Sequence, residues 1–185
     1  MEGSRLYAVI DIGSTAIRMV IAESLDEENW RVIDRAERPV PLGRDVFVHG
    51  YISRDTMNQT LRVLRGFREV LEGWQIQAQD ARVIATSAIR EAGNRDTFID
   101  RVSLRTEFQV ETVEGIEESR LTFLAVQNAL KDMKSEFSRS NSLIIEVGGG
   151  STEVMLLRRG KMAAAHSLNL GIVRIAQQIR PAVQA

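Results

Sequence analysis

Apolar residues recur at two spacings along the chain, and the switches between them mark out the elements. Leu6–Ile10 and Ala16–Ala22 are short runs rich in β-formers, and Trp30–Ala36 alternates roughly with period two. Gly13-Ser14 lies between the first two and reads as a tight turn, so the three runs predict an antiparallel meander. Arg38–Gly50 carries two prolines and two glycines and reads as a loop. Ser53 then stands as an N-cap. Behind it Met57, Leu61, Leu64, Phe67, Leu71 and Trp74 recur at steps of three and four, which predicts an amphipathic helix with this stripe in the core and a stop near Gly73.

Val83–Ala85 is a short strand feeding a helix start at Thr86-Ser87. Asp96–Arg105 reads as helix and Phe108–Val113 as strand. Glu117–Met133 reads as a long helix with Leu121, Leu124, Ala125 and Ala129 on one face. The polar stretch 134–141 is expected to be a linker. Beyond it Ser142–Val147, Ser151–Leu157 and Met162–Leu168 read as strands, joined by Gly148-Gly149-Gly150 and by the basic turn Arg158-Arg159-Gly160-Lys161; a helix begins within Gly171–Ile179. The opening hairpin pattern therefore occurs twice, which predicts two similarly built α/β domains.

Composition narrows the chemistry. The 185 residues suit one large domain or one and a half small ones, and 44% hydrophobic residues suffice for a core. A net charge of -1 gives no bulk attraction to DNA or to a membrane surface, so an anionic ligand needs a local basic cluster. The absence of cysteine removes disulfides, thiolate nucleophiles and cysteine-ligated metal. His49 and His166 stand alone and read as structural. No apolar stretch approaches the ~20 residues of a membrane span, and a cytoplasmic protein is expected. Carboxylates, hydroxyls, arginines and backbone amides are left to do any chemistry.

Four segments could use them. In Asp11-Ile12-Gly13-Ser14-Thr15 a strand-end carboxylate precedes a glycine turn, which places backbone N–H groups and hydroxyls beside an anion and lets the acid hold Mg²⁺ or a water. The same residues also make an ordinary turn. Glu146-Val147-Gly148-Gly149-Gly150-Ser151-Thr152 repeats the acid–glycine–hydroxyl order. It is neither a Walker loop, which needs Gly-Lys-Ser/Thr, nor a dinucleotide fingerprint, which needs a helix to follow. Alone it is either a flexible hairpin or a close backbone approach to a ligand; beside the first turn, the pair could clamp one phosphate chain. Ala85-Thr86-Ser87-Ala88-Ile89-Arg90, with Asn94 beyond, is either an anion-binding helix start or a capped helix with a surface arginine. Gly115-Ile116-Glu117-Glu118-Ser119-Arg120 puts two acids in a first helical turn, where the dipole favours them and where one could act as general base.

Taken in order, these segments resemble the exopolyphosphatase/guanosine pentaphosphate phosphohydrolase family over nearly the whole chain. AVIDIGSTAIRMVIAE, VIATSAIREAGN, VETVEGIEESRLTFLAV, IIEVGGGSTEVML and LNLGIVRIAQQ each resemble a family segment. The resemblance implies the actin-like ASKHA (ribonuclease H-like) fold with a mixed sheet. Domain I would be 1–133, and 142–185 would be the opening strands and first helix of a second, similar domain. It implies removal of the terminal phosphate of inorganic polyphosphate or of guanosine pentaphosphate with Mg²⁺, and a possible homodimer. Glu118 would be the general base, and Asp11 and Glu146 would stand at the metal. Gly13, Ser14, Thr15, Arg18, Arg90, Gly148, Gly149, Gly150, Ser151 and Thr152 would hold phosphate. Two positions depart from the family pattern: Glu146 replaces an aspartate and Thr15 an asparagine. The alternatives are a non-catalytic phosphate-binding module of the same fold, or an actin-like ATPase or kinase; the Ala-Thr-Ser-Ala-x-Arg segment argues against the last.

Overall fold

The computed structural model of the protein describes residues 5–26 and 29–183. The chain divides into two compact units between Thr112 and Val113.

In the first unit β1 (Arg5–Ile12), β2 (Ala16–Ser24) and β3 (Trp30–Pro39) form the expected antiparallel meander. β4 (Arg82–Ala85) and β5 (Val110–Thr112) extend it on the other side in parallel, giving the mixed order β3-β2-β1-β4-β5. Strand alternation turns Ile10, Ile12, Ile17, Met19 and Ile21 into one core that includes Met57, Leu61, Leu64, Phe67 and Leu71 of α2 (Arg54–Gly73). Ser53 caps α2 as its spacing predicts, accepting a hydrogen bond from the Thr56 N–H.

Trp74 does not continue the stripe. It sits past the last turn of α2, 38% exposed, and its indole N–H donates to Asp34. The segment expected as a loop at 38–50 holds the end of β3 and α1 (Leu42–His49), which buries Leu42 and Val46 and ends at Gly50 in the left-handed conformation with φ 79°. Its prolines precede the helix instead of interrupting it, which is where a helix tolerates them. α3 (Ser87–Glu91) and α4 (Arg95–Thr106) follow β4.

The second unit begins earlier than the boundary expected at 133. α5 (Gly115–Ala129) packs on β7 (Thr152–Arg158) and β8 (Lys161–Leu168), which with β6 (Asn141–Val147) make an antiparallel sheet in the order β6-β7-β8. The face α5 covers is the one with Ser119, Thr122, Phe123 and Val126, while Leu124, Ala125 and Ala129 are exposed. Part of the stretch expected as linker is helical, α6 (Lys134–Phe137). The basic turn between β7 and β8 closes through Arg159 and Gly160, both at positive φ, 51° and 71°, the conformation a two-residue hairpin loop needs. α7 (Ile172–Val183) ends the described chain.

Candidate phosphate-binding turns and carboxylates

The two acid–glycine segments build the same turn, once in each unit. Ile12 pairs with Ile17, and the Gly13 N–H donates to the Ala16 carbonyl at 3.1 Å, leaving Ser14-Thr15 as a two-residue loop. Val147 pairs with Thr152, and the Gly148 N–H donates to the Ser151 carbonyl at 2.9 Å, leaving Gly149-Gly150. In both, the chain then returns along a strand and enters a helix whose first residues lie against the turn. The Gly43 N–H donates to the Ser14 carbonyl at 2.7 Å, and the Val40 N–H to that of Thr15 at 3.0 Å. In the second unit the N–H groups of Ile172 and Val173 donate to the Gly148 and Gly149 carbonyls at 3.0 and 2.9 Å, and Arg174 Nε reaches the Gly150 carbonyl at 2.9 Å.

This consumption of carbonyls fixes where the amides point. No described peptide bond is cis, so each N–H lies opposite the preceding C=O. The Thr15 and Ala16 N–H groups therefore point away from Gly43 and Val40, and those of Gly149, Gly150 and Ser151 away from α7. Amides turned to one side of a tight turn are the kind of donor set that can receive an anion.

The approach depends on two glycines. A Cβ on Gly43 would come within 2.8 Å of the Phe47 ring and 2.9 Å of Ser14 Cβ. A Cβ on Gly171 would come within 2.3 Å of the Gly149 carbonyl oxygen. Each follows a leucine, Leu42 or Leu170.

The side chains of the two turns differ in kind. Ser14 is buried, its hydroxyl 3.1 Å from that of Ser87 at the start of α3, which ties the Thr86-Ser87 segment to the first turn. Arg90 lies in the last turn of that short helix. The Thr152 hydroxyl donates to the Leu170 carbonyl. Arg18 faces Asp11 in register at 3.6 Å and donates to Glu37 on β3 at 3.2 Å, so its cation sits between two carboxylates.

At the position matching Arg18 the second unit has Glu153, directly opposite Glu146. Sequence reading passed over Glu153. Superposing the two motifs reveals it: the residue seven after the acid is arginine in one repeat and glutamate in the other. Glu153 is buried at 3% exposure and accepts a 2.9 Å hydrogen bond from Ser167 on β8. α5 packs over the Glu153 side of this pair, and Glu146 stays exposed. Thr122 donates to Glu146, and Gly115 lies so close to Ser167 that a Cβ would meet it at 2.6 Å. Glu118 stands one helical turn before Thr122, on the same stripe of α5. Its neighbour Glu117 is engaged by Arg120 at 2.7 and 2.8 Å. That hydrogen bond and the adjacent charge raise the Arg120 pKa. Among the described residues no three carboxylates or histidines converge closely enough to form a metal cage by themselves.

A family model, that of the Ppx/GppA phosphatase family, matches residues 20–184. The chain belongs to the Ppx/GppA phosphatase family. It is similar to the bifunctional 3-dehydroquinate synthase/phosphatase of Fusobacterium nucleatum, at 31% identity over 94% of this chain and 26% of that one. It is similar to the guanosine-5'-triphosphate,3'-diphosphate pyrophosphatase of Aeromonas hydrophila at 28% identity, over 94% of this chain and 33% of that one. Among solved structures, the Ppx/GppA family member of Aquifex aeolicus matches with 28% identity and a TM-score of 0.77, over 96% of this chain and 55% of that one. An exopolyphosphatase from Cytophaga hutchinsonii shares the fold at 24% identity, TM-score 0.82, over 94% of this chain and 53% of that one. The Ppx/GppA chain thus has the α/β actin-like fold that its motifs imply. It spans a quarter to a third of the length of the curated relatives and about half of the solved ones.

Proposed function

We propose that this Ppx/GppA chain contributes to hydrolysis of a terminal phosphoanhydride, in inorganic polyphosphate or guanosine pentaphosphate. The observation that carries the reading is the pair of glycine turns, whose carbonyls are held by helix starts so that their amides are presented to an anion. The name of the Aeromonas relative supports the nucleotide, and the family supports phosphate removal.

In this reading Glu118 accepts a proton from a water. The water oxygen bonds to the terminal phosphorus, and the bridging P–O bond breaks. The leaving oxygen departs on the shortened chain, and orthophosphate is the second product. Each unit offers its own donors to phosphate oxygens: the amides of Thr15 and Ala16, with Gly13 closing the turn and Arg90 as a further cation, in the first, and the amides of Gly149, Gly150 and Ser151, with Gly148 closing the turn, in the second.

The donor set fits Mg²⁺ in the second unit. Glu146 and Glu153 are like charges directly opposite on neighbouring strands, an arrangement that costs stability unless a cation shares it. Mg²⁺ is held by one or two carboxylates, waters and substrate phosphates, so a full cage is not needed. Asp11 already has Arg18 for its charge, so we place the metal at Glu146 and Glu153 and give Asp11 the task of orienting Arg18. When bound, the ion would neutralise charge on the phosphate oxygens.

The test is phosphate release from long-chain polyphosphate and from guanosine pentaphosphate with Mg²⁺, using the chain beside Glu118→Gln. We expect release that falls about 100-fold or more in the variant, the usual worth of a general base. A folded chain that binds either substrate in the presence of Mg²⁺ but releases no phosphate would make it a binding module and end the hydrolase reading.

A further inference from the structure

The first unit carries a second basic feature that shares no residue with the glycine turn. Arg54, Asn58, Leu61 and Arg65 lie along one stripe of α2, and Arg101, Leu104 and Arg105 along one stripe of α4; together they line a groove of about 480 Å³. Four guanidinium groups thus share one groove in a chain of net charge -1. All four arginines are exposed. Among the described residues none of the four has a carboxylate at ion-pair distance, whereas Arg18, Arg31, Arg68, Arg82 and Arg95 of the same unit each do. Glu107, the acid at the end of α4, is taken by Arg68 at 3.1 Å. Asp55 and Asp100 adjoin Arg54 and Arg101 in sequence, but a step of one residue turns them about 100° away from the stripe.

We infer that this α2–α4 groove is a second binding site for a phosphate chain, holding phosphates other than the one being removed. The inference rests on the hydrolase reading for the identity of the ligand. Guanidinium groups match phosphate oxygens as forks of donors, which a scattered set of lysines would not. Arg54 and Arg65 are eleven residues apart on one helix, about 16 Å along its axis at the usual rise, too far for a single phosphate and suited to a run of them. Leu61, buried, and Leu104, exposed, line the same groove and offer apolar surface along which guanidinium stems can lie.

The experiment is binding of long-chain polyphosphate and of tripolyphosphate by the intact chain in EDTA, so that turnover plays no part. Arg101→Ser/Arg105→Ser is compared with Arg35→Ser/Arg38→Ser, a charge-matched control on β3. The first double variant should weaken long-chain binding about tenfold, as expected for losing two exposed charge pairs, and leave tripolyphosphate binding unchanged. The control should leave both unchanged. Equal weakening of both ligands, equal weakening by the control, or no change at all would overturn the site. Competition by polyglutamate or a homopolymeric RNA as strong as that by polyphosphate would overturn its commitment to a phosphoanhydride chain. Loss of hydrolysis in Glu118→Gln is read separately, so the groove can fail while the hydrolase reading stands, and the reverse.

Discussion

At the scale of single residues, Gly43 and Gly171 hold the same post in the two units. Each lets a helix start touch a turn, and at each an added methyl meets atoms closer than real Cβ contacts tolerate. At Gly43 the obstacles are the Phe47 ring and Ser14; at Gly171 they are backbone atoms of Gly149 and Gly150, which cannot swing aside. Gly43→Ala should therefore cost about 1–3 kcal/mol in thermal or denaturant unfolding, the usual range for overpacking. Gly171→Ala should lower phosphate-chain affinity as well, because relief of its clash moves the Gly149-Gly150 turn itself. A Gly171→Ala chain with unchanged binding would show that the turn geometry is not what holds phosphate.

At the scale of elements, the junction of α1 with α2 is set by one carboxylate. Asp45 of α1 accepts from the Ser53 N–H at 2.9 Å, and Ser53 is the cap of α2. Burial pushes the Asp45 pKa up, but hydrogen bonds from Ser53 and Thr56 and the proximity of His49 outweigh it, and the net shift is downward. A depressed carboxyl stabilises the folded state in its charged form. That contribution is complete above the ordinary aspartate pKa and is lost as pH falls through the lower folded value. Acidification into that window should loosen wild type more than Asp45→Asn, measured as unfolding midpoint against pH. Parallel curves for the two would remove Asp45 from the account of acid sensitivity.

At the scale of the whole molecule, burial is uneven. The large apolar core, from Ala8 to Phe108, lies entirely in the first unit. In the second unit Met155 and Leu157 are fully buried, while Leu143, Ile145 and Val147 of β6 are each more than half exposed. Local stability follows buried apolar contact. Amide hydrogen exchange should therefore be slower in β1, β2 and β4 than in β6, β7 and β8. Equal protection across both sheets would mean that the second unit draws stability from something other than its own described core.

By itself the sequence determined what depends on neighbours along the chain. Hydrophobic period and the Ser53 cap fixed α2, and the acid–glycine order marked both turns, because turn geometry is a property of a few consecutive residues. The family segments also marked Glu118 and Glu146 as candidate residues. The tertiary structure decided what depends on pairing across strands and elements. It set Glu153 opposite Glu146 and gave Arg18 to Asp11 and Glu37. It moved α5 into the second unit, because a helix belongs to whichever sheet its buried stripe covers, and α5 lies on β7 and β8. It found α1 in a stretch whose prolines and glycines read as a loop, because Gly43 is needed there for close approach to Ser14 and Gly50 for a left-handed cap. Local pattern names the candidate residues; long-range register decides which charge stands across from each of them.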